Sequence, residues 1–266
     1  MSLFRGRTVA IVQARMSSTR LPGKVMKPVL GAPMLIRQLE RISRASTLDS
    51  VVIATSEDAS DDALAALVEA SPGVHVVRGS LDDVLARFVS ALEMHDCDVV
   101  VRLTADCPLV SPHVIDQVVE EFHSSDADYV SNTLDPTYPD GLDVEVMTSA
   151  SLREIAAISE DPDEREHVTL GIYRRPHQYI LRNFVDPLGR NNSHMRWTVD
   201  SADDFSFVTA VYEDLASGLD TFEYEDVLSI LNEHPELIRT SADQMRNAAL
   251  NGLDTGAMVH QHPEEP

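Results

Sequence analysis

Cysteine, lysine and long apolar runs are all scarce in this 266-residue chain, and each scarcity removes a class of protein. Cys97 and Cys107 are its two cysteines. They give neither a disulfide framework nor metal-ligand spacing. No stretch approaches the roughly 20 apolar residues that cross a bilayer. The opening MSLFRGRTVAIVQAR has a short apolar run without a cleavage site, so it does not read as a signal peptide. A cytoplasmic protein is expected. Positive charge is the other shortage: 21 basic residues stand against 44 acidic ones, a net charge of −23. So acidic a surface argues against nucleic acid or an anionic membrane as partner. The lysines are only Lys24 and Lys27, and both lie in one loop with Arg15 and Arg20. A salt-adapted, lysine-poor surface explains the scarcity, though not the location.

What is present is an alternation of strand and helix signals. Residues 7–13 (RTVAIVQ) are a β-branched run, followed by a loop rich in Ser, Pro and Gly. From Pro33, the spacing of Met34, Leu35, Leu39 and Ile42 predicts a helix. Strands are expected at Val51–Ala54, His75–Val77 and Val99–Leu103, with helices at Asp61–Glu69, after a capping box at Ser80–Asp83, and at Pro112–Phe122. Four repeats of this order predict a mostly parallel sheet covered on both faces. Ligands in such sheets sit beyond the carboxyl ends of the strands. After Asp128 the pattern becomes mixed: strands at Tyr129–Ser131, Leu142–Met147 and Tyr179–Phe184, helices at Ala150–Ile158 and Glu164–Tyr173. Residues 132–195 are therefore expected to be an inserted α+β region completing a substrate site or a subunit contact. A strand at Met195–Val199 and helices after Ser201 and over 223–233 complete a single domain over 1–250, with 251–266 a flexible tail.

Two segments at predicted strand ends carry chemistry. The first holds Arg15, Arg20 and Lys24 with Ser17, Ser18, Thr19 and Gly23 between them. A triphosphate carries about four negative charges, and such a set of cations, hydroxyls and backbone donors suits it. It is neither a Walker A loop nor a dinucleotide turn. The second is TADCPL (104–109), which puts Asp106 just past a strand. A carboxylate there suits Mg²⁺, which needs few protein ligands, or is a turn former. Asp200 also ends an apolar run, and neighbouring strands would make the two a metal pair. Arg102 interrupts an otherwise apolar strand and needs a partner, for which Asp106 is one option. In YPDGLDVEV (138–146), period-two spacing would put Asp143 and Glu145 on one face, either toward sugar hydroxyls or on a solvated edge.

The segment QARMSSTRLPGK (13–24) resembles the opening signature of the cytidylyltransferases that activate acidic sugars. These are the 3-deoxy-manno-octulosonate and acylneuraminate enzymes, and the resemblance is greatest to the branch named after spore-coat polysaccharide biosynthesis protein F. RGSLDDVLARF (78–88), VVRLTADCPL (100–109), YPDGLDVEV (138–146), EREHVT (164–169) and RWTVDSADDF (196–205) follow in family order, to about residue 235. The resemblance implies a Rossmann-like nucleotidyltransferase fold of three layers, Mg²⁺ on Asp106 and Asp200, and a homodimer. It implies CMP transfer from CTP to the anomeric hydroxyl of an acidic sugar, releasing pyrophosphate, for a cell-surface or spore-coat polysaccharide. Arg15, Arg20, Lys24 and Ser17 would face the phosphates. The base would be read by backbone at Gln13–Ala14, with Arg78 and Arg102 or Thr104 nearby. Asp140, Asp143, Glu145, Glu166 and His167 would face the sugar, and Arg165, Arg174 or Arg196 its carboxylate. A glycosyltransferase using a nucleotide sugar and a non-catalytic nucleotide-binding protein share much of this pattern.

Overall fold

The structure, a computed structural model, describes residues 6–219 and 221–240; the expected tail at 251–266 lies outside them. The first strand, β1 (Thr8–Gln13), is followed by a loop with a 3₁₀ turn at Lys24–Met26 and a small hairpin of β2 (Pro28–Val29) and β3 (Ala32–Pro33). Then come α1 (Met34–Ile42), β4 (Ser50–Ser56), α2 (Asp62–Glu69), β5 (Val74–Gly79), α3 (Val84–Met94), β6 (Val99–Thr104) and α4 (Pro112–Ser124). The mixed part supplies β7 (Tyr129–Ser131), β8 (Glu145–Thr148), α5 (Ser149–Ile158), α6 (Pro162–Glu166), α7 (Leu170–Tyr173) and β9 (Leu181–Asn183). Two helices close the described chain, α8 (Ala202–Asp214) and α9 (Tyr224–Glu233).

Seven strands form one sheet in the order β5-β4-β1-β6-β8-β7-β9. β5, β4, β1 and β6 run parallel, β8 is antiparallel to β6 and β7, and β9 is parallel to β7. Alternation along β1 divides the core. Ala10 and Val12 pack with Leu35 and Leu39 of α1, Val114 and Val118 of α4, and residues of α8 and α9. Val9 and Ile11 pack on the opposite face with Val84, Leu85 and Phe88 of α3 and Leu152 of α5. Three layers result, the fold that the alternation predicts. Among the described residues, no helix is long and apolar enough to cross a membrane.

Four local expectations are corrected. Met195–Val199 is not a strand of the sheet, forming only isolated bridges at Asp140–Arg196 and Met195–Thr240. The run Leu142–Met147 enters the sheet only at Glu145. The helix expected at Glu164–Tyr173 breaks between α6 and α7, where Val168 has φ 37°. Asp83, not Ser80, caps α3, accepting from the Ala86 amide at 2.9 Å.

Candidate active site

The carboxyl ends of β1 and β6 open into a cleft lined by the loop after β1. Hydrogen bonds shape that loop locally. The Met16 carbonyl accepts from the amides of Ser18 (2.9 Å) and Gly23 (3.0 Å), while the Met16 amide donates to Asp61 Oδ1 at 2.7 Å. Asp61 is buried and also accepts from Thr55 Oγ1 and Ser56 N, so it ties the loop to the end of β4. Burial opposes its ionisation, yet these donors hold its carboxyl below the usual range. Gly23 sits at φ 68°, a left-handed conformation that suits glycine, and from there the chain turns Lys24 inward.

Lys24 is the centre of the site and only 8% exposed. Its Nζ donates to Asp106 Oδ2 (3.1 Å), Asp200 Oδ1 (3.1 Å) and the Val199 carbonyl (2.7 Å). Three donors thus meet three acceptors. Burial disfavours the ammonium, but the two carboxylates outweigh it and push the pKa up. Asp106 responds in kind: desolvation works against its charge, and Lys24 and Thr104 hold it low. Asp200 additionally pairs with Arg20 at 2.9 Å and with Arg196. The two aspartates meet although Val199 is not in the sheet, because the Val199 amide donates to the Asp106 carbonyl at 2.8 Å. The neighbouring segment is set by Gly141, at φ 118°, whose missing Cβ would lie 2.8 Å from the Trp197 carbonyl carbon.

Of the residues expected in the site, Gln13, Ala14, Arg15, Arg20, Lys24, Thr104, Asp106, Glu166 and Asp200 line this one cleft. Others are placed elsewhere. Ser17 is exposed and outside the cleft lining. Arg78 donates to the carbonyls of Ser56 and Asp58 and pairs with Asp62, bracing the end of β4. Arg102 pairs with Glu145 rather than Asp106, and Glu145 is buried beneath Tyr129 and Thr169 instead of facing a sugar. A charged strand residue inside a sheet requires a countercharge, and the β6–β8 register supplies this one. Asp140 is buried against Arg196 at 2.9 Å, Asp143 lies near Cys107, and His167 is exposed at the end of α6. The backbone expected to read the base is committed to the sheet: the Ala14 amide donates to Ala54 (3.1 Å) and the Gln13 carbonyl accepts from Ala105 (3.0 Å).

Arg87 also lines the cleft, though sequence reasoning did not single it out. It is 2% exposed, its Nε has no hydrogen-bond partner, and a Cβ on Gly79 would come within 3.0 Å of its Cγ. Burial first, and then nearby Arg15, lower its pKa. The available signal was an arginine three residues after Val84, on the apolar face of α3.

A largely parallel sheet presenting a cationic loop and two carboxylates at one strand end defines a nucleotidyltransferase-type site. A family model described as cytidylyltransferase matches residues 9–230, and the chain belongs to that family. It is 35% identical over 232 residues to the spore coat polysaccharide biosynthesis protein SpsF of Bacillus subtilis, covering 85% of this chain and 94% of that protein. It is 38% identical over 122 residues to the 3-deoxy-manno-octulosonate cytidylyltransferase of Zea mays, covering 44% and 39%. The solved structure of a cytidylyltransferase from Leptospira borgpetersenii superposes with a TM-score of 0.82 at 28% identity, covering 90% of this chain and 98% of that one. CMP:2-keto-3-deoxy-manno-octonic acid synthetase complexed with CTP shares the fold, with a TM-score of 0.61 at 16% identity over 78% and 99%.

Proposed function

We propose that this enzyme transfers CMP from CTP to the anomeric hydroxyl of an acidic sugar, releasing pyrophosphate, in the assembly of a cell-surface or spore-coat polysaccharide. The observation that carries it is Lys24 held between Asp106 and Asp200 at the mouth of a cleft whose loop adds Arg15 and Arg20. The hydroxyl oxygen attacks the α-phosphorus and gives up its proton to water, the bond to the bridging oxygen breaks, and pyrophosphate carries that electron pair away. Positioning and charge neutralisation supply most of the acceleration, so no protein nucleophile is required. Arg15 and Arg20 neutralise the departing pyrophosphate, joined by Lys24 where it exchanges an aspartate for a phosphate oxygen.

Asp106 and Asp200 are the residues that would hold Mg²⁺: both present hard oxygens at the cleft, and the oxygens that converge are the ones that pair with the Lys24 ammonium in this structure. Among the described residues, no group of three or more His, Cys, Asp or Glu side chains could hold a metal, so these two carboxylates would be the protein's share of the ligands. When bound, Mg²⁺ supplies charge stabilisation at the α-phosphate and lowers the pKa of a bound hydroxyl.

The three arginines considered for the sugar carboxylate are already paired, Arg165 with Asp83, Arg174 with Asp161 and Arg196 with Asp140. Glu166 is the acidic cleft residue left for sugar hydroxyls. A homodimer in the cytoplasm belongs to the same proposal, and exposed Ile180, Val185 and Leu188 around edge strand β9 favour a subunit contact. Pyrophosphate release from CTP across a panel of sugar acids with Mg²⁺ tests the proposal. Release with at least one is expected; none, with transfer from a nucleotide sugar instead, overturns it.

A further inference from the structure

Gln13 ends β1 on the floor of the cleft, and its amide cannot choose its own orientation. Arg102 on the next strand donates to Gln13 Oε1 from Nε (3.1 Å) and from Nη2 (3.0 Å). A guanidinium has donors only, so the amide must turn its oxygen toward it. The amino group therefore faces away, and no described residue accepts from Gln13 Nε2. Arg102 is fixed in turn, because its Nη1 pairs with Glu145 Oε1 and the other oxygen of Glu145 accepts from Tyr129 Oη at 2.8 Å. The side chains of Arg102 and Glu145 are 12% and 11% exposed, so water competes little for these bonds. A continuous rail thus runs from β8 through β6 to β1 and ends in one fixed donor.

The position of that donor narrows what it meets. The cleft's cations lie on the loop and on α3, while its floor of Gln13, Ala14, Thr104 and Ala105 carries no charge. The phosphates belong with the cations and the neutral base with the floor. The neighbouring backbone groups Ala14 N and Gln13 O are spent in the sheet, and Thr104 Oγ1 is paired with Cys107 Sγ at 3.3 Å, which leaves the Gln13 side chain to read the base.

We propose that Gln13 Nε2 donates to the ring nitrogen N3 of cytosine, and that Arg102 and Glu145 are positioning residues that forbid the flipped amide. Cytosine N3 is an acceptor. Uracil carries a hydrogen there, so a fixed donor meets a donor, and a site left with an unpaired polar group rejects that ligand strongly. The inference rests on CTP being the nucleotide.

Binding titrations of CTP and UTP to the full-length protein test it without knowledge of the sugar. The wild type is expected to favour CTP. Gln13→Glu keeps an oxygen for Arg102 and turns an acceptor toward the base, so the CTP-to-UTP affinity ratio should move toward UTP by tenfold or more. The added charge weakens both nucleotides alike and cancels in the ratio. Arg102→Lys keeps the countercharge for Glu145 but loses the double donation, and should shrink the ratio with Gln13 intact. A loss of structure alone would weaken both nucleotides without moving the ratio. Should Arg102→Lys not fold, Gln13→Glu decides. A wild type that prefers CTP, with Gln13→Glu retaining that preference, overturns the inference and leaves the proposed activity standing. A wild type that binds neither nucleotide removes both.

Discussion

A lysine surrounded by two carboxylates and a carbonyl can serve packing or chemistry, and the two roles make different demands on its removal. In Lys24→Ala, Asp200 keeps Arg20 and Arg196, so only Asp106 loses its cation. The expected stability loss is about 3 kcal/mol, because Lys24 is buried and its removal leaves the Asp106 carboxylate and the Val199 carbonyl without their donor. Turnover should fall on the order of 10²–10³-fold, the usual effect of removing one preorganised charge from a transition state. Pyrophosphate release measured beside a thermal melt separates the roles: a large melting loss with intact kinetics would refute the assignment. Arg87 gives the opposite case. It is a buried cation with no salt bridge among the described residues and an unpartnered Nε, so it costs stability where it stands. Arg87→Met should leave the melting temperature unchanged or raise it while lowering kcat/KM at least tenfold. A destabilised variant with full activity would make Arg87 a packing residue.

Single elements matter here chiefly through where they deliver Asp200. Gly141 at φ 118° lies against the backbone of Trp197 and Thr198, at 2.8 and 2.9 Å from a would-be Cβ, and neither contact is a flexible side-chain end. Gly141→Ala should therefore cost about 2–3 kcal/mol, combining backbone strain with a clash. It should also reduce turnover below the melting temperature, because the 195–199 segment leads directly to Asp200; chemical denaturation and rate measurements check both. The same segment shows what was legible in the sequence and what was not. The βα alternation was readable because β1, β4, β5 and β6 are valine-rich, β-branched runs, and α8 because Ser201 and Asp204 form a capping box. RWTV reads as strand on local grounds too, being aromatic and β-branched. Its actual state is decided by Asp140 and Gly141, more than fifty residues earlier. The partner of Arg102 was hidden for a related reason. Glu145 is 43 residues away, and only the β6–β8 register brings them opposite. The cationic loop, by contrast, was readable because its charges lie within ten residues of one another.

At the scale of the whole molecule, 44 acidic residues against 21 basic ones would suggest a protein that repels a triphosphate. The cleft escapes this because Arg15, Arg20, Lys24 and Arg87 face one opening against Asp106, Glu166 and Asp200, and a local field dominates over distances near the Debye length of about 8 Å. The same charge imbalance sets how stability depends on pH. Asp61, Asp106, Asp116 and Asp204 are each opposed by burial and each held below the ordinary carboxylate pKa of 3.8, Asp106 chiefly by the charge of Lys24 and the others by their hydrogen bonds, with Arg196 aiding Asp204. A group depressed in the native state binds fewer protons there than in the unfolded chain. Its stabilisation is complete above the unfolded pKa and lost as pH falls through the native one. Protonation of exposed carboxylates and histidines, meanwhile, relieves the repulsion of −23 charges. The two effects take over in sequence, so the melting temperature should hold or rise from pH 8 to about 5 and drop steeply below about 4. Asp61→Asn should flatten the acid limb, because it removes one carboxylate that resists protonation and leaves the exposed charges untouched. A melting series in both proteins decides this, and an acid limb of unchanged slope would place the pH dependence in the surface charges alone.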